Sequence, residues 1–319
     1  MKCPKTCWWI GGLVVLGGAA LNIRVIEKGD QHDMQASVKP QRLDLSGLNQ
    51  EAPARPVDLL FIHHSCGGQL LAPFGPEAGT NCIFKSDPRG GNLRPLLEQN
   101  HYRVHEASYG SVIGQKTDVF DWGPKFRTQM ESILRCEHQD TMLPEGRTNR
   151  VVVFKSCFPN NAFRGEGTAP GNSAGPELTV WNAKAAYTAL REEFRQQPGV
   201  LFVCVTAPPQ APQRRQRVWR LVVQRLKGTH FDLATSGSLA REFNNWLSDV
   251  NGWLKEYPLR NVVVFDYYDV LTGHGTANFS RYPTGHGYDS HPSREGNEKA
   301  AEAFVPFLNR AVRRAGIAE

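Results

Sequence analysis

Five short runs of Val, Ile, Leu and Phe recur along the chain at long intervals: Val57 to His63, Tyr102 to Ala107, Val151 to Lys155, Val200 to Thr206 and Asn261 to Tyr267. Taken together they are largely apolar at consecutive rather than alternate positions, the pattern of strands buried on both faces of a parallel sheet. Between them the period becomes helical. Asn92 to Gln99 is one such stretch, and Trp181 to Gln196 is another, ending near Pro198-Gly199. Leu239 to Tyr257 carries Phe243, Trp246, Leu247, Val250 and Leu254 at helical spacing. Ser293 is placed to cap a last helix, with Glu295 and Glu298 in its early turns, where carboxylates meet the positive end of the helix dipole. Strands alternating with helices predict βαβ units and so a three-layer α/β/α sandwich. No internal repeat is visible.

Outside this pattern the chain divides further. Lys2 and Lys5 precede an apolar run from Cys7 to Ile23, so residues 1–25 read as a signal peptide or an N-terminal membrane anchor. Gly18-Ala19-Ala20 offers small residues for cleavage, yet the run is also near the minimum length for a span. Residues 26–56 are polar, with Pro40, Pro53 and Pro56, and read as a linker to a domain over 57–319. That domain is expected outside the cytoplasm, exported or held to the membrane by an uncleaved N-terminus. Gly165 to Gly175 reads as a surface loop. Between Pro208 and Gly237, Arg214, Arg215, Arg217, Arg220, Arg225 and Lys227 surround Val218, Trp219, Leu221 and Val222. This is either a solvated basic helix packed by one apolar face or a patch for an anionic substrate or surface.

Composition is that of a globular protein, 40% hydrophobic and 21% charged. The formal charge of +6 is mild and gives no ground for a nucleic-acid partner. Of seven cysteines, Cys3 and Cys7 belong to the leader; no Cys-x-x-Cys pair occurs, which argues against a thiolate zinc site. Export would permit a disulfide, but its pairing cannot be read from spacing.

The candidate chemistry sits at strand ends, which line the crevice of a parallel α/β sheet. The first strand runs into His63-His64-Ser65-Cys66-Gly67-Gly68. A small-residue turn lets the Ser65 hydroxyl project and frees backbone N–H groups for an oxyanion; alternatively Ser65 simply caps a helix. Cys66 is a lesser rival nucleophile. His291 stands two residues after Asp289, so an imidazole base and an orienting carboxylate lie together just before the last helix. Otherwise they are a capping acid and a loop histidine. The second strand leads to Gly110 and Gly114, the third through Lys155-Ser156-Cys157-Phe158-Pro159 to Asn160 and Asn161. A glycine N–H and an amide there are placed to reach an oxyanion. His63, His64, Asp289 and His291 could instead converge on a metal, although adjacent strand residues point to opposite faces.

Taken in order, Ser65, a glycine after strand two, Asn160 or Asn161 after strand three, and Asp289-Ser290-His291-Pro292-Ser293-Arg294-Glu295-Gly296-Asn297 resemble the SGNH/GDSL hydrolase superfamily, from about Val57 to Ala315. The last block is the most specific. Thr117-Asp118 and Asp121-Trp122 are accompanying markers of a divergent bacterial branch. The resemblance implies a flavodoxin-like sandwich with a five-stranded parallel sheet and no cofactor. It implies Ser65 as nucleophile, His291 as base and Asp289 as its acid. Oxyanion donors would be the N–H of Ser65, Gly110 or Gly114 and the amide of Asn160 or Asn161, with His64 in support. The substrate would be a small-molecule or polysaccharide ester, such as an acetylated carbohydrate. The chain departs from the pattern in having His63-His64-Ser65 for Gly-Asp-Ser, Lys155-Ser156 in the third block, and one residue rather than two between acid and base. That spacing leaves the partner of His291 open. A degenerate domain that binds glycan without cleaving it is the non-catalytic alternative.

Overall fold

The first apolar run is Val57–Ile62 (β1), and all six of its residues are buried. In the computed structural model, which describes residues 24–29, 39–228 and 232–317, Leu60 and Ile62 enter a cluster with Trp122, Phe126 and Phe194 on one face of the sheet. Leu59 and Phe61 enter a second cluster, with Leu97, Phe304 and Leu308, on the other. Successive side chains leave opposite faces of a strand, so a strand covered on both sides is apolar at nearly every position; the exception in β1 is Asp58, which is held by Arg103 and His105. Tyr102–Ala107 (β2), Val151–Lys155 (β3), Leu201–Val205 (β4) and Val262–Phe265 (β5) complete the parallel sheet, in the order β5-β4-β3-β1-β2. This is the flavodoxin-like order, which reverses direction beside β1 and opens a crevice there.

Two short strands, Cys136–His138 and Thr141–Met142, extend the edge beyond β2, so the sheet has seven strands rather than five. At three and two residues, they are too short to leave a period in the sequence. Cys66–Leu71 (α1) and Leu93–Gln99 (α2), with Arg294–Arg314 from the chain's end, cover one face. Trp122–Arg135 (α3), Val180–Arg195 (α4) and Leu233–Ser248 (α5) cover the other. The final helix is α6. The three layers are thus those the pattern predicts.

Boundaries follow the caps. The α5 helix starts six residues before its predicted position because the Asp232 carboxylate accepts from Thr235 N–H at 2.8 Å. It ends at Ser248, where Asp249 turns extended, leaving Val250 and Leu254 in turns beyond it. Ser293 does cap α6, accepting from Gly296 N–H.

The leader lies outside the described residues up to Ile23, and among the described residues no helix is long and apolar enough to cross a membrane. Over 39–56 the expected linker is strapped to the domain instead. Val250 N–H donates to Gln41 O at 2.8 Å, Leu45 is buried, and Asn309 on α6 donates to Gln50 O at 2.7 Å. Backbone carbonyls make most of these contacts, and side-chain polarity does not advertise them.

Candidate active site

Ser65 stands three residues past β1 with φ 37° and ψ −96°. A non-glycine residue there carries strain of roughly 1–3 kcal/mol and persists only where its surroundings enforce it. The enforcement is visible. The α1 helix starts at once with Cys66 and packs so closely that a Cβ on Gly68 would overlap the Cys82 carbonyl. The capping alternative fails, because the Ser65 side chain makes no capping hydrogen bond to α1. Its hydroxyl instead lies 2.5 Å from His291 Nε2.

Asp289 and His291 belong to a short strand, Asp289–Pro292. In extended chain, residues i and i+2 face the same way, so a one-residue spacing brings acid and base side by side. His291 Nδ1 lies 2.6 Å from Asp289 Oδ1, and the His291 N–H donates to the same oxygen at 3.0 Å. A carboxylate only accepts, so Nδ1 carries the proton and Nε2 offers its lone pair to Ser65. Thr284 Oγ1 lies 2.9 Å from Asp289 Oδ2, and an Arg89 guanidinium nitrogen is 3.8 Å from that oxygen. Burial opposes ionisation of Asp289, but hydrogen bonds from the His291 N–H and ring and from Thr284 outweigh it. They hold the carboxyl below its ordinary value. Phe158 meets the imidazole edge-on, with ring centroids 5.1 Å apart.

The oxyanion candidates separate on the same accounting of donors. Gly114 is removed from the set: its N–H donates to Ser111 Oγ at 2.7 Å, and its carbonyl is 2.6 Å from His64 Nε2. Asn161 is removed too, because its amide donates to Ala207 O and Pro208 O while its oxygen accepts from Asn244. Asn160 donates to Asp118 Oδ1 at 2.7 Å and only loosely to Cys157 O, at 3.3 Å. One of its N–H bonds is therefore readily exchanged. Gly110 adopts φ +86°, and a Cβ there would overlap the Asn81 amide. Ser65 directs its own N–H toward the Cys82 sulfur. Because a Cβ on Gly114 would overlap the Ser108 backbone, Gly114→Ala is expected to lower unfolding stability by about 2 kcal/mol, read from the urea midpoint.

The two histidines diverge. His63 turns to Glu106, at 2.8 Å, while His64 bridges Gly114 O and Thr117 Oγ1 beneath the stacked Tyr109 ring. They do not converge with Asp289 and His291. Among the described residues no three His, Cys, Asp or Glu side chains gather as metal ligands. Burial lowers the His64 pKa from 6.5 to about 4, despite the Gly114 hydrogen bond. The unfolded chain therefore binds the extra proton first, so His64 supports the fold fully above pH 6.5 and loses that contribution as pH falls toward 4. A His64→Gln variant should show a flatter decline of the urea midpoint across this window than the wild type.

Cys66 cannot serve as nucleophile: it is fully buried, and burial pushes its thiol well up. Below it lies an unpredicted cluster. Cys157 is held well below the ordinary thiol value by a hydrogen bond from Cys66 and by Lys155, whose ammonium is 3.4 Å from its sulfur. Lys155 itself is 0% exposed. All five cysteines of the described residues are free thiols. Sequence reasoning also missed Thr284, Arg89, Phe158, Asn81 and Cys82. The last two sit on a hairpin, residues 78–86, that gave no strand pattern; a Thr five residues before the acid leaves no signal either.

No protein-family model and no curated protein matches the chain. Among solved structures, the chain is similar to a carbohydrate esterase family 2 enzyme with a carbohydrate-binding domain from Corynascus thermopiles (Myceliophthora fergusii). Identity is 14%, over 82% of this chain and 68% of that one, with a TM-score of 0.39. A second solved structure is 12% identical over 83% of this chain and 98% of that one, with a TM-score of 0.36. Likeness this distant lends the chain no function. That has to come from the site.

Proposed function

We propose that this chain is a serine ester hydrolase of the SGNH type, acting through an acyl-enzyme on a carbohydrate ester outside the cytoplasm. The observation that carries the reading is the unbroken relay from Ser65 Oγ through His291 to Asp289, with bonds of 2.5 and 2.6 Å. Ser65 attacks the ester carbonyl and His291 Nε2 takes its proton. Asp289 holds the imidazole in the required tautomer and stabilises the imidazolium. The oxyanion is met by the Gly110 N–H and the Asn160 amide, and by the Ser65 N–H once it exchanges the Cys82 sulfur for the oxyanion. Collapse breaks the ester C–O bond, and the alcohol leaves with the proton from His291. Water, deprotonated by His291, then attacks the acyl-enzyme, releasing the acid and restoring Ser65. No cofactor enters these steps.

A carbohydrate substrate is supported by the aromatic surface beside the site: Tyr109, 42% exposed, stacks on His64, and the exposed Phe74 lies under the Arg294 guanidinium. The proposal of export rests on the basic and apolar character of residues 2–23. The test is release of acid from p-nitrophenyl acetate and from acetylated oligosaccharides by the purified chain. Release that Ser65→Ala abolishes is the expected result. A folded wild type that hydrolyses neither ester and takes no fluorophosphonate would overturn the reading.

A further inference from the structure

The basic stretch after β4 plays no part in the relay, and its structure reverses the simpler expectation. Gln213–Arg217 pairs antiparallel with Arg24–Lys28, Arg24 opposite Arg217, and the helix Val218–Leu226 follows at once. A surface helix normally turns its apolar stripe to the core. Here only Leu221 is buried, while Val218, Trp219, Val222, Val223 and Leu226 are 39, 56, 49, 38 and 83% exposed. These five recur at i, i+1, i+4, i+5 and i+8, and so form one stripe facing solvent. Arg220, Arg225 and Lys227 flank it. Across residues 24–28 and 213–227, eight Arg and Lys stand with one carboxylate, Glu27, which Arg214 holds at 2.6 Å. The whole chain carries only +6, so the positive charge is concentrated here.

An outward apolar stripe containing Trp and edged by cations is the pattern of a helix that lies in the headgroup region of a membrane. Anionic lipid supplies the complementary charge. Arg24 also follows directly on the apolar run from Cys7 to Ile23. We infer that the strand pair and the helix Val218–Leu226 form a docking surface for an anionic lipid bilayer. This inference does not rest on the esterase reading, but the surface adjoins the candidate site. The Ala211 N–H donates to Ser290 Oγ at 2.9 Å, on the strand that carries Asp289 and His291, and the Arg215 guanidinium lies 4.1 Å from the ring centroid of Tyr288, the residue just before that strand. Docking therefore holds Ser65 near the bilayer, where an ester of a membrane-bound molecule is presented.

Hydrogen–deuterium exchange of the full chain gives a local readout that the apolar N-terminal run does not obscure. The chain is reconstituted in vesicles of phosphatidylcholine, in vesicles of phosphatidylcholine with phosphatidylglycerol, and in neutral detergent. Amides of 218–226 should slow several-fold only with phosphatidylglycerol, and high salt should reverse the slowing. Val222→Glu/Leu226→Glu should lose it while the urea midpoint stays that of the wild type. Leu226→Gln, at an 83% exposed position, should weaken it without touching the fold. Equal slowing in detergent, which would mean coverage by a second copy or by the N-terminal run, overturns the inference. So does unchanged exchange in every vesicle, or slowing that persists in the double variant.

Discussion

Ser65→Ala and His291→Ala are each expected to abolish fluorophosphonate labelling and to cut ester hydrolysis by roughly 10³- to 10⁶-fold. The two losses should not add, because in the proposed mechanism nucleophile and base act as one unit across a 2.5 Å bond. Asp289→Asn is expected to cost roughly 10⁴-fold. An amide facing Nδ1 can present its N–H there, which favours the tautomer with the proton on Nε2 and removes the acceptor that Ser65 needs. Stability should respond in the opposite sense at one position. Ser65 holds φ at 37°, so Ser65→Gly should be inactive yet more stable than Ser65→Ala by about 1 kcal/mol. Urea midpoints of the two variants measure this directly. A Gly variant no more stable than the Ala variant would mean that the turn carries no strain, and wild-type labelling in His291→Ala would remove the histidine from the mechanism.

How much of this was legible in the sequence depends on what kind of contact each residue makes. The five parallel strands were legible because burial on both faces leaves few polar positions, as in Val57–Ile62, where Asp58 alone is polar. The meeting of Ser65, Asp289 and His291 was legible because their chemistry stands where such a sheet puts its crevice. Gly114 and Asn161 were indistinguishable from Gly110 and Asn160, since what separates them is where their hydrogen bonds go, to Ser111 in one case and to Ala207 and Pro208 in the other. The strap over 39–56 was hidden because backbone carbonyls make many of its contacts. Helix Val218–Leu226 shows a different limit. Its period gave the stripe, but a period does not say whether a stripe faces the core or the solvent.

Lys155 shows that limit most sharply, and it carries the largest expected effect on stability. A lysine at the end of the central strand reads as an ordinary strand terminus, yet it is fully buried with its ammonium toward Ser156 O and Cys157. Lys155→Ala removes both the buried stem and the cation beside an acidic thiol, and is expected to lower stability by about 3 kcal/mol. Lys155→Met keeps most of the volume and should lower it by less than about 1.5 kcal/mol, since a well-packed apolar replacement of a buried charge is often close to neutral. In both variants Cys157 loses the cation that, with the Cys66 hydrogen bond, holds its thiol below the ordinary value, so its alkylation by iodoacetamide should shift to higher pH, as followed by mass spectrometry. Equal destabilisation by Met and Ala would assign the stability to the charge rather than to the packed stem. A thiol that still alkylates as readily in the Met variant would leave the Cys66 hydrogen bond as the whole cause of its acidity. Because Cys66 directly follows Ser65 in the chain, these variants also test whether the buried pair fixes the nucleophile. A fall in kcat in Lys155→Met at full stability would tie the lysine to the geometry of the serine turn.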